Sequence, residues 1–295
     1  MAKLVFYIID VFAEEKFAGN QLAVYRNARA LSGEAMQKIA KEMHFSETTF
    51  ILSEKQRDAG YDVRIFSPEK EMPFAGHPAL GTAFAIQQEI IKQRVDKVVL
   101  NLKVGQIPVS FNYKGNHPDT LFVKQVSPTF GQIVDPKTVS KILDLDVDDV
   151  DARFPVEEVS TGMPFLIVPL KTLDSVKRAR TNRNEYFNLI KRLEAKAILI
   201  FCRETYDEEN DLNVRMFADY LGITEDPATG SGNGCLAGYL VKHRFFGKDR
   251  VDLRVEQGYE IGRPSLLLLK AENKFEEIEV LVGGRTIMVA KGEIV

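Results

Sequence analysis

Side chains able to move a proton or hold an anion gather at three places in this 295-residue sequence. Glu47 stands among hydroxyl residues in Ser46-Glu47-Thr48-Thr49. A carboxyl with hydrogen-bonding neighbours can serve as a general acid/base, although the commonest role of a lone strand-end glutamate is a solvated one. His77 lies between Gly76 and Pro78, the setting of a turn rather than of an apolar helix face, which favours contact with a ligand over a place in the core. Asp226 precedes Pro227 and reads two ways, as a turn former bonding local N–H groups or as a carboxylate for a substrate amine. The run Gly230-Ser231-Gly232-Asn233-Gly234 follows at once.

That glycine run has neither the spacing of a dinucleotide fingerprint nor the Gly-Lys-Ser/Thr of a phosphate loop, so nucleotide binding is disfavoured. What it offers is backbone N–H groups at the start of a helix, which suit a carboxylate or a developing enolate. Gly76-His77-Pro78 offers the same, with Pro78 expected at the first helical position. The alternative is that these glycines only cap and turn. Cys202, Cys235 and the four histidines lack metal-ligand spacing. The acidic run Asp144 to Asp151 resembles a calcium loop, but Asp149 replaces its glycine and Pro155 its closing glutamate, so it reads as a solvated segment and no metal is expected. A Ser-His-Asp hydrolase from Ser231, His77 and Asp226 lacks the G-x-S-x-G elbow.

The elements that must position these residues occur twice. Val63-Arg64-x-Phe66 is answered by Val214-Arg215-x-Phe217, and Glu71-x-Pro73-x-x-Gly76 by Glu225-x-Pro227-x-x-Gly230. The offset is 151 residues at the arginines and 154 at the glutamates, a three-residue insertion in the second copy. Each copy reads as strand, loop, Pro-containing turn and helix, so one unit is used twice. Around the first copy the pattern predicts strands at 4–12, 22–25 and 61–66, a strand opening near Glu47, and a helix at 34–43 capped by Ser32 with Met36, Ile39, Ala40 and Met43 on one face. Strands follow at 97–102, 107–113 and 120–125. Beyond them the pattern gives a helical, acidic stretch at 136–150, strands at 156–160 and 165–169, a helix at 184–193, strands at 197–201 and 213–217, and a helix at 235–246. The end is β again, at 252–256, 266–270, 278–282 and 286–290. The fold class is α+β: two pseudo-symmetric lobes, each a mostly antiparallel sheet wrapped around a central helix. The lobes are expected at 1–118 plus 284–295 and at 119–283, with a tight cleft between them.

Composition narrows the partners. With 45% hydrophobic and 27% charged residues and a formal charge of −3, the chain is an ordinary globular one. It has no basic footprint for nucleic acid, and no apolar run approaches the roughly 20 residues of a membrane-spanning helix. No signal peptide is visible, and two cysteines fit a reduced, cytoplasmic setting. A small-molecule partner is expected.

Asp10-Val11-Phe12 through Phe17-x-Gly19-Asn20-x-Leu22-Ala23-Val24, then Phe45-Ser46-Glu47-Thr48-Thr49-Phe50, Pro73-Phe74-Ala75-Gly76-His77-Pro78 and Glu225-Asp226-Pro227-Ala228-Thr229-Gly230-Ser231, together resemble the PhzF-like phenazine-biosynthesis family. The closing segment Gly283-Gly284 to Ile294 fits that family as well. The resemblance implies a diaminopimelate epimerase-like fold with the active site between the lobes, and a homodimer. It implies a cofactor-independent isomerase that moves a proton between carbons of a small carboxylate-bearing substrate, with Glu47 as the general acid/base. It places His77, Asp226 and Ser231 on the substrate, and Gly76 and Gly230 near its carboxylate. One departure is Gln21, where the family commonly has proline. Related racemases of this fold use two cysteines; here the matching places hold Gly76 or His77 and Ser231, with Cys235 further along. The rival readings are an epimerase or racemase acting at one carbon, and a non-catalytic binding protein that keeps the fold.

Overall fold

A computed structural model describes residues 4–275 and 277–294. In chain order the first elements are β1 (Leu4–Val11), β2 (Asn20–Tyr25), α1 (Gly33–Met43), β3 (Glu47–Ile51), β4 (Tyr61–Phe66), β5 (Glu71–Met72), α2 (Gly76–Ile86), β6 (Lys97–Leu102), β7 (Gly105–Lys114) and β8 (His117–Lys124). Then come β9 (Thr129–Val134), α3 (Pro136–Ile142), β10 (Val156–Ser160), β11 (Pro164–Pro169), α4 (Leu173–Arg178), α5 (Arg183–Ile190), β12 (Ala197–Cys202), β13 (Leu212–Phe217), α6 (Gly230–Lys242), β14 (Arg250–Gln257), β15 (Ser265–Lys274), β16 (Glu277–Gly284) and β17 (Thr286–Ile294). No helix among the described residues is long and apolar enough to cross a membrane. The chain divides into two compact units, one running to Val123 and taking in the segment from Gly283, the other spanning Lys124–Val282. Gly115 and Pro118 look like a boundary in the sequence. In the structure Gly115 makes a left-handed turn (φ 62°) and Pro118 sits opposite Tyr113 at a bulge, so β8 carries the chain on to Lys124.

In the first unit β17 pairs antiparallel with β1, β1 antiparallel with β2, β2 parallel with β3 and β3 antiparallel with β4. β4 runs parallel to β6, which continues antiparallel through β7 to β8. This sheet wraps around α2. Every residue of Gly-His-Pro-Ala-Leu-Gly-Thr-Ala-Phe-Ala-Ile is buried, because the helix is apolar on all sides and strands β1, β2, β3, β6 and β7 pack against it. α1 is the opposite case: one face buries Met36 and Ala40 against Tyr25, Phe50 and Phe66, and the other faces water. Its cap is the expected one, with Ser32 Oγ accepting from the Ala35 N–H at 3.1 Å.

The second unit repeats the plan. β9, β10 and β11 are antiparallel, β11 runs parallel to β12, β12 antiparallel to β13, β13 parallel to β14 and β14 antiparallel to β15. α6 is its buried helix, packed on β10, β11, β14 and β15. β12 is buried along its length because both of its faces are covered. Ile198, Ile200 and Cys202 join the core that contains Val139, Val176 and Tyr186 from α3–α5, while Phe201 meets the Tyr239 ring of α6 at 5.9 Å. Both units are α+β, with antiparallel pairings in the majority.

Four expectations change. The glycine run is not a loop before a helix at Cys235, because α6 begins at Gly230. A Cβ on Gly238 would stand 2.6 Å from Cγ of Pro128, and one on Gly232 2.9 Å from Leu199 Cδ1, so these glycines let a helix lie close to its neighbours. α2 begins at Gly76, which puts Pro78 third rather than first in the helix, still within the turn whose N–H groups have no helical acceptor. The acidic run is not simply solvated either. Asp149 accepts from Ser175 Oγ at 2.6 Å and from Arg178 Nη2 at 2.9 Å, and the buried Asp151 grips Arg153. β9 and α4 lie where no element was expected.

Candidate active site

In the first unit the site residues meet where β3 passes the start of α2. Side chains alternate along a strand, so Glu47 and Thr49 share a face of β3. Thr49 is tied to the helix by the Thr82 hydroxyl, which donates to Thr49 Oγ1 at 2.8 Å. Glu47, two residues earlier, reaches the N-terminal turn instead, and its Oε2 lies 3.4 Å from Nε2 of His77. The Thr49 hydroxyl, on the same face as Glu47, is therefore engaged with α2.

His77 is the second residue of α2 and is buried in it, with 7% of its side chain exposed. Burial lowers its pKa from 6.5 to about 3, opposed only by a hydrogen bond to the Gln21 backbone. The imidazole is neutral at any working pH. A hydrogen bond to the Gln21 backbone favours the charged form, while Nε2 makes no hydrogen bond among the described residues. Nε2 faces Glu47. The departure from proline at Gln21 leaves the backbone contact intact, since either residue supplies a carbonyl.

In the second unit Asp226, Gly230 and Ser231 belong to the turn between β13 and α6 and to the first turn of that helix. Gly230 and Ser231 are its first and second residues, as Gly76 and His77 are of α2. The caps of both helices leave the first-turn N–H groups uncovered. Ala75 has no polar side chain, and the Thr229 hydroxyl makes no capping bond but donates to Asp226 Oδ2 at 2.6 Å. Such a helix start favours negative charge nearby. Arg215, two residues before the end of β13, holds Glu225 in a fork, Nε to Oε1 at 2.9 Å and Nη2 to Oε2 at 2.8 Å. Its Nη1 donates to the carbonyls of Val176 and Ala179 at 2.8 and 2.9 Å, which anchors the residue next to Asp226 to the end of α4.

Three buried residues around Asp226 were not singled out from the sequence: Thr229, Asn233 and Gln257. Thr229 and Asn233 stand inside the motif and its glycine run, so proximity was their only signal. Gln257 comes from β14 and carries none.

The family model for phenazine biosynthesis-like protein matches residues 9–292 of this chain. The chain belongs to the phenazine biosynthesis-like family. Among its relatives, the trans-2,3-dihydro-3-hydroxyanthranilate isomerase of Pseudomonas aeruginosa is 32% identical over 288 residues, covering 97% of this chain and 98% of that protein. An uncharacterised isomerase of Clostridium acetobutylicum is 32% identical over 299 residues, covering 98% and 97%. The crystal structure of a PhzF-family phenazine biosynthesis protein from Bacillus anthracis superposes with a TM-score of 0.91 at 27% identity, covering 100% of both chains. This phenazine biosynthesis-like protein is an isomerase.

Proposed function

We propose that the protein moves a proton between two carbons of a small carboxylate-bearing substrate without a cofactor, and that Glu47 is the acid/base that lifts the proton and returns it. The observation that carries this reading is the 3.4 Å approach of Glu47 Oε2 to Nε2 of a neutral His77 at the start of a buried helix. As a carboxylate, Glu47 takes a proton from carbon, and the electron pair left behind spreads toward the substrate's unsaturation as an enolate-like anion. The first-turn amides at Gly76 and His77 favour that anion. Once Glu47 carries the proton, the Nε2 lone pair can accept its O–H, which holds the acid oriented until it protonates the second carbon. Atoms balance, since one C–H bond breaks, another forms, and the double bond shifts between them.

On the same reading Asp226 holds a substrate amine, and Gly230 and Ser231 take its polar oxygens. The name of the Pseudomonas aeruginosa relative makes trans-2,3-dihydro-3-hydroxyanthranilate the first substrate to try. A cytoplasmic homodimer goes with this reading. Turnover in deuterium oxide tests it: label, or hydrogen carried over by Glu47, is expected at a carbon other than the one that lost its proton. Label confined to the original carbon with inverted configuration would make the protein an epimerase and overturn the reading.

A further inference from the structure

The side-chain amide of Gln257 is pinned between two backbone groups whose polarity cannot change. Its Oε1 accepts from the Thr229 N–H at 3.1 Å, and its Nε2 donates to the Asp226 carbonyl at 2.9 Å. Asn233 Nδ2 adds a second donation to Oε1 at 2.9 Å. Amide orientation is usually a matter of assignment, but here a fixed donor on one side and a fixed acceptor on the other leave one choice. Nε2 also reaches Thr229 Oγ1 at 3.0 Å. A hydroxyl that accepts from this amide is directed to place its own proton elsewhere, and Asp226 Oδ2 lies 2.6 Å away.

Gly258 is what brings the end of β14 this close. Its φ is 80°, and a Cβ there would stand 2.6 Å from the Pro227 carbonyl oxygen and 2.4 Å from that of Arg263. All four residues of the relay are nearly closed to solvent, so water cannot readily substitute for a missing donor.

Resting on the assignment of Asp226 to substrate binding, we propose that Gln257 is a positioning residue, which fixes the Asp226 carboxylate for the substrate's amine through the Thr229 hydroxyl. Gln257 touches no substrate; it sets the direction of a hydrogen-bond chain that ends on a residue that does.

Steady-state kinetics on trans-2,3-dihydro-3-hydroxyanthranilate, with thermal unfolding of each variant, test this. Thr229→Val keeps the shape and deletes the hydroxyl, and should raise KM about tenfold with kcat little changed, while Thr229→Ser should restore KM to within about twofold. Gln257→Glu puts an acceptor where Thr229 Oγ1 receives a donor, and should raise KM as Thr229→Val does. A wild-type KM in a folded Thr229→Val, or the same rise in Thr229→Ser, overturns the proposal; if Thr229→Val does not fold, the KM of Gln257→Glu decides. A wild-type protein that does not turn this compound over defeats the choice of substrate instead. The relay is then judged by NMR: a slowly exchanging Thr229 hydroxyl proton that vanishes in Gln257→Glu upholds it, and the absence of that resonance from the wild type overturns it.

Discussion

Arg64 grips Glu71 through two parallel hydrogen bonds, Nε to Oε1 at 2.7 Å and Nη2 to Oε2 at 2.9 Å. The same fork recurs between Arg215 and Glu225. Each arginine also stacks over the phenylalanine two residues on, Arg64 on Phe66 at 5.0 Å and Arg215 on Phe217 at 4.8 Å. In both units, then, the last residues of a strand hold the segment that leads into the buried helix, and the first turn of that helix carries the proposed site residues.

The two forks should differ in strength because their burial differs. Arg215 and Glu225 are 5% and 9% exposed, whereas Arg64 and Glu71 are 30% and 16% exposed and Glu71 has a second cation in Lys103. Removing one partner of a buried pair strands the other without water. Glu225→Gln should therefore cost about 3–5 kcal/mol of unfolding free energy, and Glu71→Gln about 1 kcal/mol or less. Urea denaturation measures both; equal losses would contradict the burial argument.

The buried imidazole gives stability an acid limb. Burial holds the folded-state pKa of His77 at about 3, against 6.5 for an ordinary histidine. Well above pH 6.5 neither folded nor unfolded chain is protonated there, and His77 contributes no pH dependence. As pH falls from 6.5 toward about 3 the unfolded chain binds a proton that the folded chain refuses, so stability declines. Glu71, drawn down from 4.5 to about 2 chiefly by its bond to Arg64, adds its own loss only below about 4.5. His77→Gln should therefore flatten the stability curve between pH 6.5 and 4.5, by up to about 1.4 kcal/mol per pH unit relative to wild type. Chemical denaturation across that range checks it, and parallel curves would show that His77 is not buried neutral.

Cys235 should prove inert. Burial raises its thiol to about 11, and its contacts are the Thr161 hydroxyl and the Met163 carbonyl, each at 3.6 Å. The thiolate is the reactive form, so a thiol reagent at pH 8 should label the native protein only on unfolding. Cys235→Ala should lose some stability to the small cavity and keep its turnover. Loss of turnover in a folded Cys235→Ala would revive thiol-based racemase chemistry.

The duplicated unit was legible in the sequence because it rests on local spacing: Arg64 to Glu71 and Arg215 to Glu225 survive as matched letters. The apolar periodicity of α1 and the cap at Ser32 were legible for the same reason. What spacing could not show is how closely the chain packs on itself. Gly230 to Gly234 reads as a loop by helix propensity, yet the run begins a helix, because small residues admit Leu199, Gln125 and Phe165 against its backbone. His77 between Gly and Pro looks like a turn residue, and only the strands packed against α2 make it a buried, neutral one. Gln257 had no local signal, since its place beside Asp226 is made by the path of β14.

The central claim is that Glu47 carries the proton. Glu47→Gln preserves the size of the side chain and its approach to His77 while removing the group that can accept and return a proton. With trans-2,3-dihydro-3-hydroxyanthranilate as substrate and unchanged thermal unfolding as the control, its kcat should fall by about 10³-fold or more relative to wild type. Turnover by Glu47→Gln at the wild-type rate would contradict the account.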